Sequence, residues 1–459
     1  MRFKIYSYCI THFLWRRIKE EICFLFSLVI FSSLSSQEIN KGEVYQYARI
    51  IIDTMTSESM HGRGYVNDGD KIAANYISNE YKKFELKSFA NNYYQDFSFP
   101  INTFPENIFF NIFNFTNDNI SKKDEFKGLP AQNFLIDADA PSIDKKFKAI
   151  VFDSTFATKN KLKKFQRKIK KDISFIMIDD RGVSDKSKIE NFNTVKQNYF
   201  ETEGIIELVK KLTWEQSQKV SSYVKVQILA DSFNLSKKIV EGKITIQNKF
   251  ISNYHSQNIV GYIKGTVYPD SFIVFSAHYD HLGQLGKDVY FPGANDNASG
   301  CAMLLNLARY YSMPENKPKC SIAFIAFGAE EVGLLGSKYF TEHPLFPLKK
   351  IKFLFNMDIM GTGEEGITVV NGSVFKKEFN NLVKINLENH YLKDVKMRGK
   401  AANSDHYFFS ENSVKSFFIY TMGGIKAYHD IYDKAETLPL NEFEDLFKLI
   451  TKFENYLQN

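Results

Sequence analysis

The sequence predicts an α/β protein with a mixed, mainly parallel central sheet, helices on both faces of that sheet, and a strand-rich domain inserted into it. Two patterns carry the expectation. From Lys243 onward, apolar β-rich runs alternate with segments of helical spacing, as in a sheet covered on both faces. From about Phe97 to Gln227 the pattern changes to short β-like runs separated by stretches rich in Lys, Asp and Asn. The length of 459 residues implies two or three domains, and 44% hydrophobic with 24% charged residues excludes a disordered or fibrous chain.

Arg16, Arg17 and Lys19 precede an apolar run of 13 residues, Ile22–Leu34, and then Ser35-Ser36-Gln37, which reads as a secretory signal over residues 1–36. The run is shorter than the ~18–20 residues that span a bilayer, so no stable membrane span is expected once the signal is removed. Helical spacing recurs over Gly42–Thr56 and Asp70–Leu86, with a glycine-bearing loop between them. In the strand-rich stretch the expected strands are Phe109–Phe115, Lys148–Phe152, Ser174–Ile178 and Val224–Ile228. Beyond it they are Asn258–Ile263, Phe272–Ser276, Ser321–Phe327, Ile351–Phe355, Ile367–Val370 and Ser416–Tyr420. Helices are expected over Ala298–Tyr311, Leu334–Glu342, Phe375–Glu388 and Asn441–Leu457.

Charge and cysteine content narrow the function. The formal net charge is +6, of which the first 36 residues supply half, too mild a bias for a nucleic-acid partner. The run Lys161–Lys171 holds seven positive charges in eleven residues and reads as a solvated helix face. Cys9 and Cys23 fall in the leader, leaving Cys301 and Cys320. A helix start and a strand start at opposite ends of one helix–strand unit lie too far apart to pair, so two free, buried thiols are expected.

The residues just past the strands carry the chemistry. His278-Tyr-Asp280-His281 comes after Phe272–Ser276; Asp296 precedes the helix at Ala298; Glu330-Glu331 comes after Ser321–Phe327; Asp358 after Ile351–Phe355; His429 after Ser416–Tyr420. In open α/β sheets ligands sit at the carboxyl ends of strands, so these motifs converge on one edge. Each alone has a plain structural explanation; Asp296, for instance, could cap the helix behind it. Together, two imidazoles and three carboxylates form a nitrogen/oxygen set suited to zinc, with manganese or cobalt as substitutes. Two metals about 3.5–4 Å apart need a shared carboxylate, and Asp296, flanked by small residues, suits that place. Adjacent residues point in different directions, so one of Glu330 and Glu331 can bind metal while the other serves as base. Asp280 could hold the second nitrogen of His278.

The ordered set HYD, GANDNASG, GAEEVGLLGS, NMD and YHD resembles the zinc metallopeptidase family that includes bacterial leucyl aminopeptidase, aminopeptidase Y and glutamate carboxypeptidase. The resemblance covers roughly Lys243–Asn459, and Met60-His-Gly-Arg-Gly64 through Tyr76-Ile resembles the family's N-terminal opening. It implies the zinc exopeptidase fold, divided into residues 37–96, a protease-associated-like insert at 97–240, and a catalytic part at 241–459. It implies two zinc ions: His278 and Asp358 on one, Glu331 and His429 on the other, and Asp296 bridging. It also implies Glu330 as the base that deprotonates the attacking water and protonates the leaving amine, and a cis peptide bond between Asp296 and Asn297. His281 is a rival to His278 that family register disfavours, and Ser404-Asp405-His406 recurs near the pocket of relatives. The expected activity is a secreted or periplasmic aminopeptidase acting on peptides. The alternatives are a single-zinc glutaminyl cyclase, a carboxypeptidase gripping a substrate carboxylate through residues such as Arg398 and Lys400, and a noncatalytic receptor.

Overall fold

The computed structural model describes residues 42–89, 91–113, 126–235 and 238–458. The signal segment expected over residues 1–36 lies outside them. Among the described residues no helix is long and apolar enough to cross a membrane.

The chain begins with helices α1 (Glu43–Met55) and α2 (Gly69–Lys83), close to the expected spans. They bury Ala48, Ile51, Ile52 and Met55, and Ala73, Ile77 and Tyr81, at the spacing of one helical face. Strands β1 (Lys87–Ser88) and β2 (Tyr94–Thr103) come next. The stretch after them contains β3 (Phe109–Phe113), β4 (Phe126–Lys127), β5 (Phe134–Ile136), β6 (Ile143–Asp153), α3 (Lys159–Gln166), β7 (Phe175–Asp179), α4 (Lys186–Lys196), β8 (Gly204–Val209), β9 (Val224–Leu229) and β10 (Ile239–Ile246). The chain returns through β11 (Lys249–Ile263), β12 (Tyr268–His278), the hairpin β13 (Gln284–Leu285) and β14 (Val289–Tyr290), α5 (Ser299–Ser312), β15 (Cys320–Phe327), α6 (Leu335–Glu342) and β16 (Ile351–Met357). It ends with β17 (Ile367–Val370), α7 (Lys376–Asn389), β18 (Val395–Met397), α8 (His406–Glu411), β19 (Ser416–Thr421) and α9 (Phe443–Gln458).

The larger sheet has the order β1-β11-β15-β12-β16-β19-β17-β18, with β2 also paired to β11. Its centre, β15-β12-β16-β19, is parallel, while β1, β2 and β17 add antiparallel pairings at the flanks. The sheet is mixed, as expected, with its parallel part confined to the centre and the β17–β18 edge. Alternation along the strands sends neighbours to opposite faces. Phe275 packs with Tyr311 of α5 and Phe355 of β16, and Phe355 meets Phe453 of α9. Val274 and Leu354 instead join a cluster with Phe340 of α6 and Phe409 of α8. Helices therefore cover both faces.

The second sheet has the order β4-β3-β10-β6-β7-β8-β9-β5. The insert expected at 97–240 is shifted, because Tyr94–Thr103 pairs with β11 of the main sheet and Ile239–Ile246 belongs to the second sheet. It also carries two helices, so it is itself an α/β layer. The basic run Lys161–Lys171 is helical only as far as Gln166, with Leu162 and Phe165 buried beneath it. Parallel register aligns His278 with Phe327 and Ser276 with Asn356, bringing the carboxyl ends of β12, β15 and β16 to one edge.

Cys301 and Cys320 are free and fully buried, and burial pushes the Cys301 thiol up to about 12. A chain begun at residue 37 should leave a thiol-reactive dye uncoloured while folded and show two reactive thiols in guanidinium chloride.

Candidate metal centre

His278 is the last residue of β12, and Glu330-Glu331, Asp358 and His429 lie on the loops after β15, β16 and β19. Asp296 sits in the bend before α5, and its peptide bond to Asn297 is cis. Asn297 ties this bend to the end of β16, donating to the Met357 carbonyl at 3.0 Å and accepting from the Gly300 and Ile359 amides. A Cβ at Gly300 would lie 2.4 Å from the Met357 carbonyl oxygen, so only glycine lets α5 begin this close.

The distances define the site. Asp296 turns one oxygen to His278 Nε2 at 3.4 Å and the other to His429 Nε2 at 3.2 Å. Asp358 lies 3.3 Å from His278 Nε2, and Glu331 lies 3.2 Å from His429 Nε2. Charge-assisted hydrogen bonds are usually shorter, about 2.7–2.9 Å. Two ligands on one tetrahedral zinc with bonds of about 2.0–2.1 Å lie about 3.3–3.4 Å apart. The donor set thus fits zinc, with Asp296 common to a His278–Asp358 side and a His429–Glu331 side. Glu330 stands slightly apart, 4.0 Å from His278 Nε2.

The electrostatics agree with cation demand, because carboxylates outnumber imidazoles in a buried space. Burial alone would lower His278, yet the charges of Glu330 and Asp358 hold it well above its usual value. His429 is likewise raised to about 11 against the effect of burial, chiefly by Glu331. Burial raises Asp296, but hydrogen bonds from the two imidazoles pull it well below the carboxylate range. Burial also pushes Glu330 well up, reinforced by Glu331, Asp405 and Asp358.

The supporting contacts correct one expectation. Nδ1 of His278 meets the main-chain carbonyl of Asp280 at 3.1 Å, with the carboxylate 3.9 Å away. The Asp280 carboxylate instead accepts from the Glu330 and Glu331 amides and the Tyr65 hydroxyl, at 3.1, 3.3 and 3.0 Å. Asp280 thereby fixes the Glu330-Glu331 turn, because a two-residue step past the strand end carries its side chain toward β15. His281 is not a second copy of His278: its Nδ1 lies 2.6 Å from Glu331 Oε1, and burial lowers the ring's affinity for a proton against the pull of that carboxylate. Ser404 donates to Asp358 at 3.0 Å, while Asp405 and His406 are fully buried nearby.

Two residues escaped sequence reasoning. Asp433 accepts the Asn295 and Asp296 amides at 2.9–3.0 Å. Arg63, fully buried, donates to the carbonyls of Met55, Tyr279, Pro292 and Gly293 at 2.7–2.9 Å. The Met60–Gly64 motif marked the place of Arg63 without revealing what it holds. A cleft of about 180 Å³ opens over the site, walled by Ile359, Phe418, Tyr420, Tyr428 and Arg398. Lys400 pairs with Glu411 instead.

Fold and site together define an α/β protein with a buried nitrogen/oxygen donor cluster at its strand ends. Residues 258–453 match the model of Peptidase family M28. The chain is 42% identical over 125 residues to aminopeptidase YwaD of Bacillus subtilis (strain 168), covering 26% of this chain and 25% of that protein. It is 34% identical over 137 residues to a glutamate carboxypeptidase 2 homolog of Caenorhabditis elegans, covering 27% and 17%. The chain spans a quarter or less of the length of the curated relatives it matches first. The fold extends further: a zinc aminopeptidase structure from Bacillus subtilis superposes with a TM-score of 0.62 at 22% identity, over 89% of this chain and 94% of that one. A peptidase M28 precursor from Shewanella amazonensis superposes with a TM-score of 0.62 at 15% identity, over 92% and 98%.

Replacing Arg63 by Ala orphans four buried carbonyls, each worth about 1–3 kcal/mol. Calorimetry should show the variant destabilised by roughly 4 kcal/mol or more, an upper-range effect for one substitution.

Proposed function

We propose that the chain is a secreted dinuclear zinc aminopeptidase that removes N-terminal residues from peptides. The observation that carries the reading is the shared carboxylate: Asp296 faces two imidazoles at 3.2–3.4 Å, each with its own second carboxylate. His278 and Asp358 would hold one zinc, Glu331 and His429 the other, with Asp296 common to both. Zinc bound there supplies a Lewis acid for the scissile carbonyl, a lowered water pKa and an anchor for a free amino group.

The chain's own groups do the rest. Hydrogen bonds through the Asp280 carbonyl and His281 orient His278 and Glu331, fixing which atoms face the centre. Glu330, set apart from the ligands and raised by burial, takes the proton of the attacking water and returns it to the leaving amine. Ile359, Phe418, Tyr420 and Tyr428 line a cleft of about 180 Å³, room for a terminal residue and little more. One observation favours a carboxypeptidase: the Arg398 guanidinium in the wall could take a substrate carboxylate.

Aminoacyl-anilides and amino-blocked peptides offered to the purified protein before and after chelation test this reading. Release of the anilide with two zinc ions bound is expected; cleavage of blocked peptides alone would favour the carboxypeptidase, and one zinc with cyclisation of N-terminal Gln the cyclase. Glu330→Gln should lower kcat by about 10³-fold or more with zinc retained. Because the base acts only when deprotonated, kcat/KM of the native enzyme should fall tenfold per unit on the acid limb of its pH profile, and Glu330→Gln should abolish that limb.

A further inference from the structure

The loop between β8 and β9 of the inserted sheet reaches across to every loop of the proposed metal centre except the one bearing Asp358. Lys211 Nζ donates to the carbonyls of Lys426 and Tyr428 at 3.2 and 3.0 Å and pairs with Asp430 at 3.1 Å. The Trp214 amide donates to the His429 carbonyl at 3.1 Å. Gln216 donates to the Leu282 carbonyl, next to His281, and Gln218 to the Val332 carbonyl, next to Glu331, at 2.9 Å. The Trp214 ring stacks on Phe291, with centroids 4.9 Å apart. Leu282, Leu285 and Phe291 of the segment leading to Asp296 lie in one buried cluster with Ile206, Leu208, Val226 and Ile228 of the insert.

The grip includes a turn held in the left-handed region. His429 has φ +53°, left-handed and costly for a residue with a side chain, so its conformation has to be imposed by surroundings. Asp430 accepts the Tyr432 amide at 2.9 Å and the Lys211 ammonium, so the turn closes around a cation supplied by the insert. The Lys211 side chain is 46% exposed and fills no core space. Its contacts serve the turn.

We propose that Lys211 of the insert is a positioning residue for His429, so that the insert sets the affinity of the zinc held by Glu331 and His429. The inference rests on the dinuclear reading above. Removing a group bonded to a metal ligand typically costs 10–100-fold in metal affinity; Lys211 acts one residue further back, through Tyr428 and Asp430 on either side of His429.

The test uses the full chain as wild type, Lys211→Met, Lys211→Arg and Lys238→Met, the last being an exposed insert lysine paired with Asp153 away from the site. Zinc is titrated against a chromophoric chelator, and thermal unfolding is followed on zinc-free protein. Expected for Lys211→Met is one zinc held as in wild type, the second weakened at least tenfold, and an unchanged zinc-free midpoint. Activity should return with excess zinc, Lys211→Arg should restore the affinity, and Lys238→Met should match wild type. Should Lys211→Met fail to fold, Lys211→Gln takes its place in the same comparison. Two zinc ions bound by Lys211→Met as by wild type, or both weakened equally, overturns the positioning role. A wild-type protein that takes up a single zinc overturns the dinuclear reading itself, which separates the two failures.

Discussion

The shared carboxylate of Asp296, drawn between two imidazoles delivered by different strands, is the constraint on which the rest of the structure depends. A buried carboxylate is costly unless its charge is met, and here it is surrounded by further carboxylates. The site can hold this arrangement only if the main chain around Asp296 is immobilised. Asn297 ties it to β16, Asp433 takes its amides, and Arg63 takes the carbonyls of the segment leading into it. These contacts come from opposite ends of the sequence, so the bend before α5 is a junction of the whole main-sheet layer.

The insert enters this architecture at little topological cost. Thr103 and Lys249, on either side of it, are paired neighbours in the main sheet, so a long excursion leaves and returns at one place. Loop-closure entropy grows only logarithmically with length, and a segment that builds its own eight-stranded sheet recovers that cost through its own core. The core does not stop at the insert: Leu282, Leu285 and Phe291 belong to it, which makes the loop after His278 common property of both layers.

Much of the main sheet was legible from the chain because each central strand is an apolar run buried on both faces, bounded by small or polar residues. Ile367–Val370 matches its expected span, and β12, β15, β16 and β19 extend theirs by a few residues. The insert was read less completely. Phe134–Ile136 is only three residues long, Gly204–Val209 is interrupted by Glu207, and Ile239–Ile246 alternates buried and accessible residues, so they stand out weakly against Lys-rich surroundings.

The sequence by itself supplied the candidates for the centre, since His278, Glu330-Glu331, Asp358 and His429 follow recognisable strands, Asp296 precedes a recognisable helix, and parallel register carries strand ends to one edge. The tertiary structure alone decided which atom faces which. The Asp280 carboxylate holds the Glu330-Glu331 turn instead of an imidazole, His281 serves Glu331, and Arg63, Asp433 and Lys211 act on main-chain groups far away in sequence. Local spacing reports where a side chain leaves the backbone; partners separated by hundreds of residues are chosen by packing, and packing is a property of the whole fold.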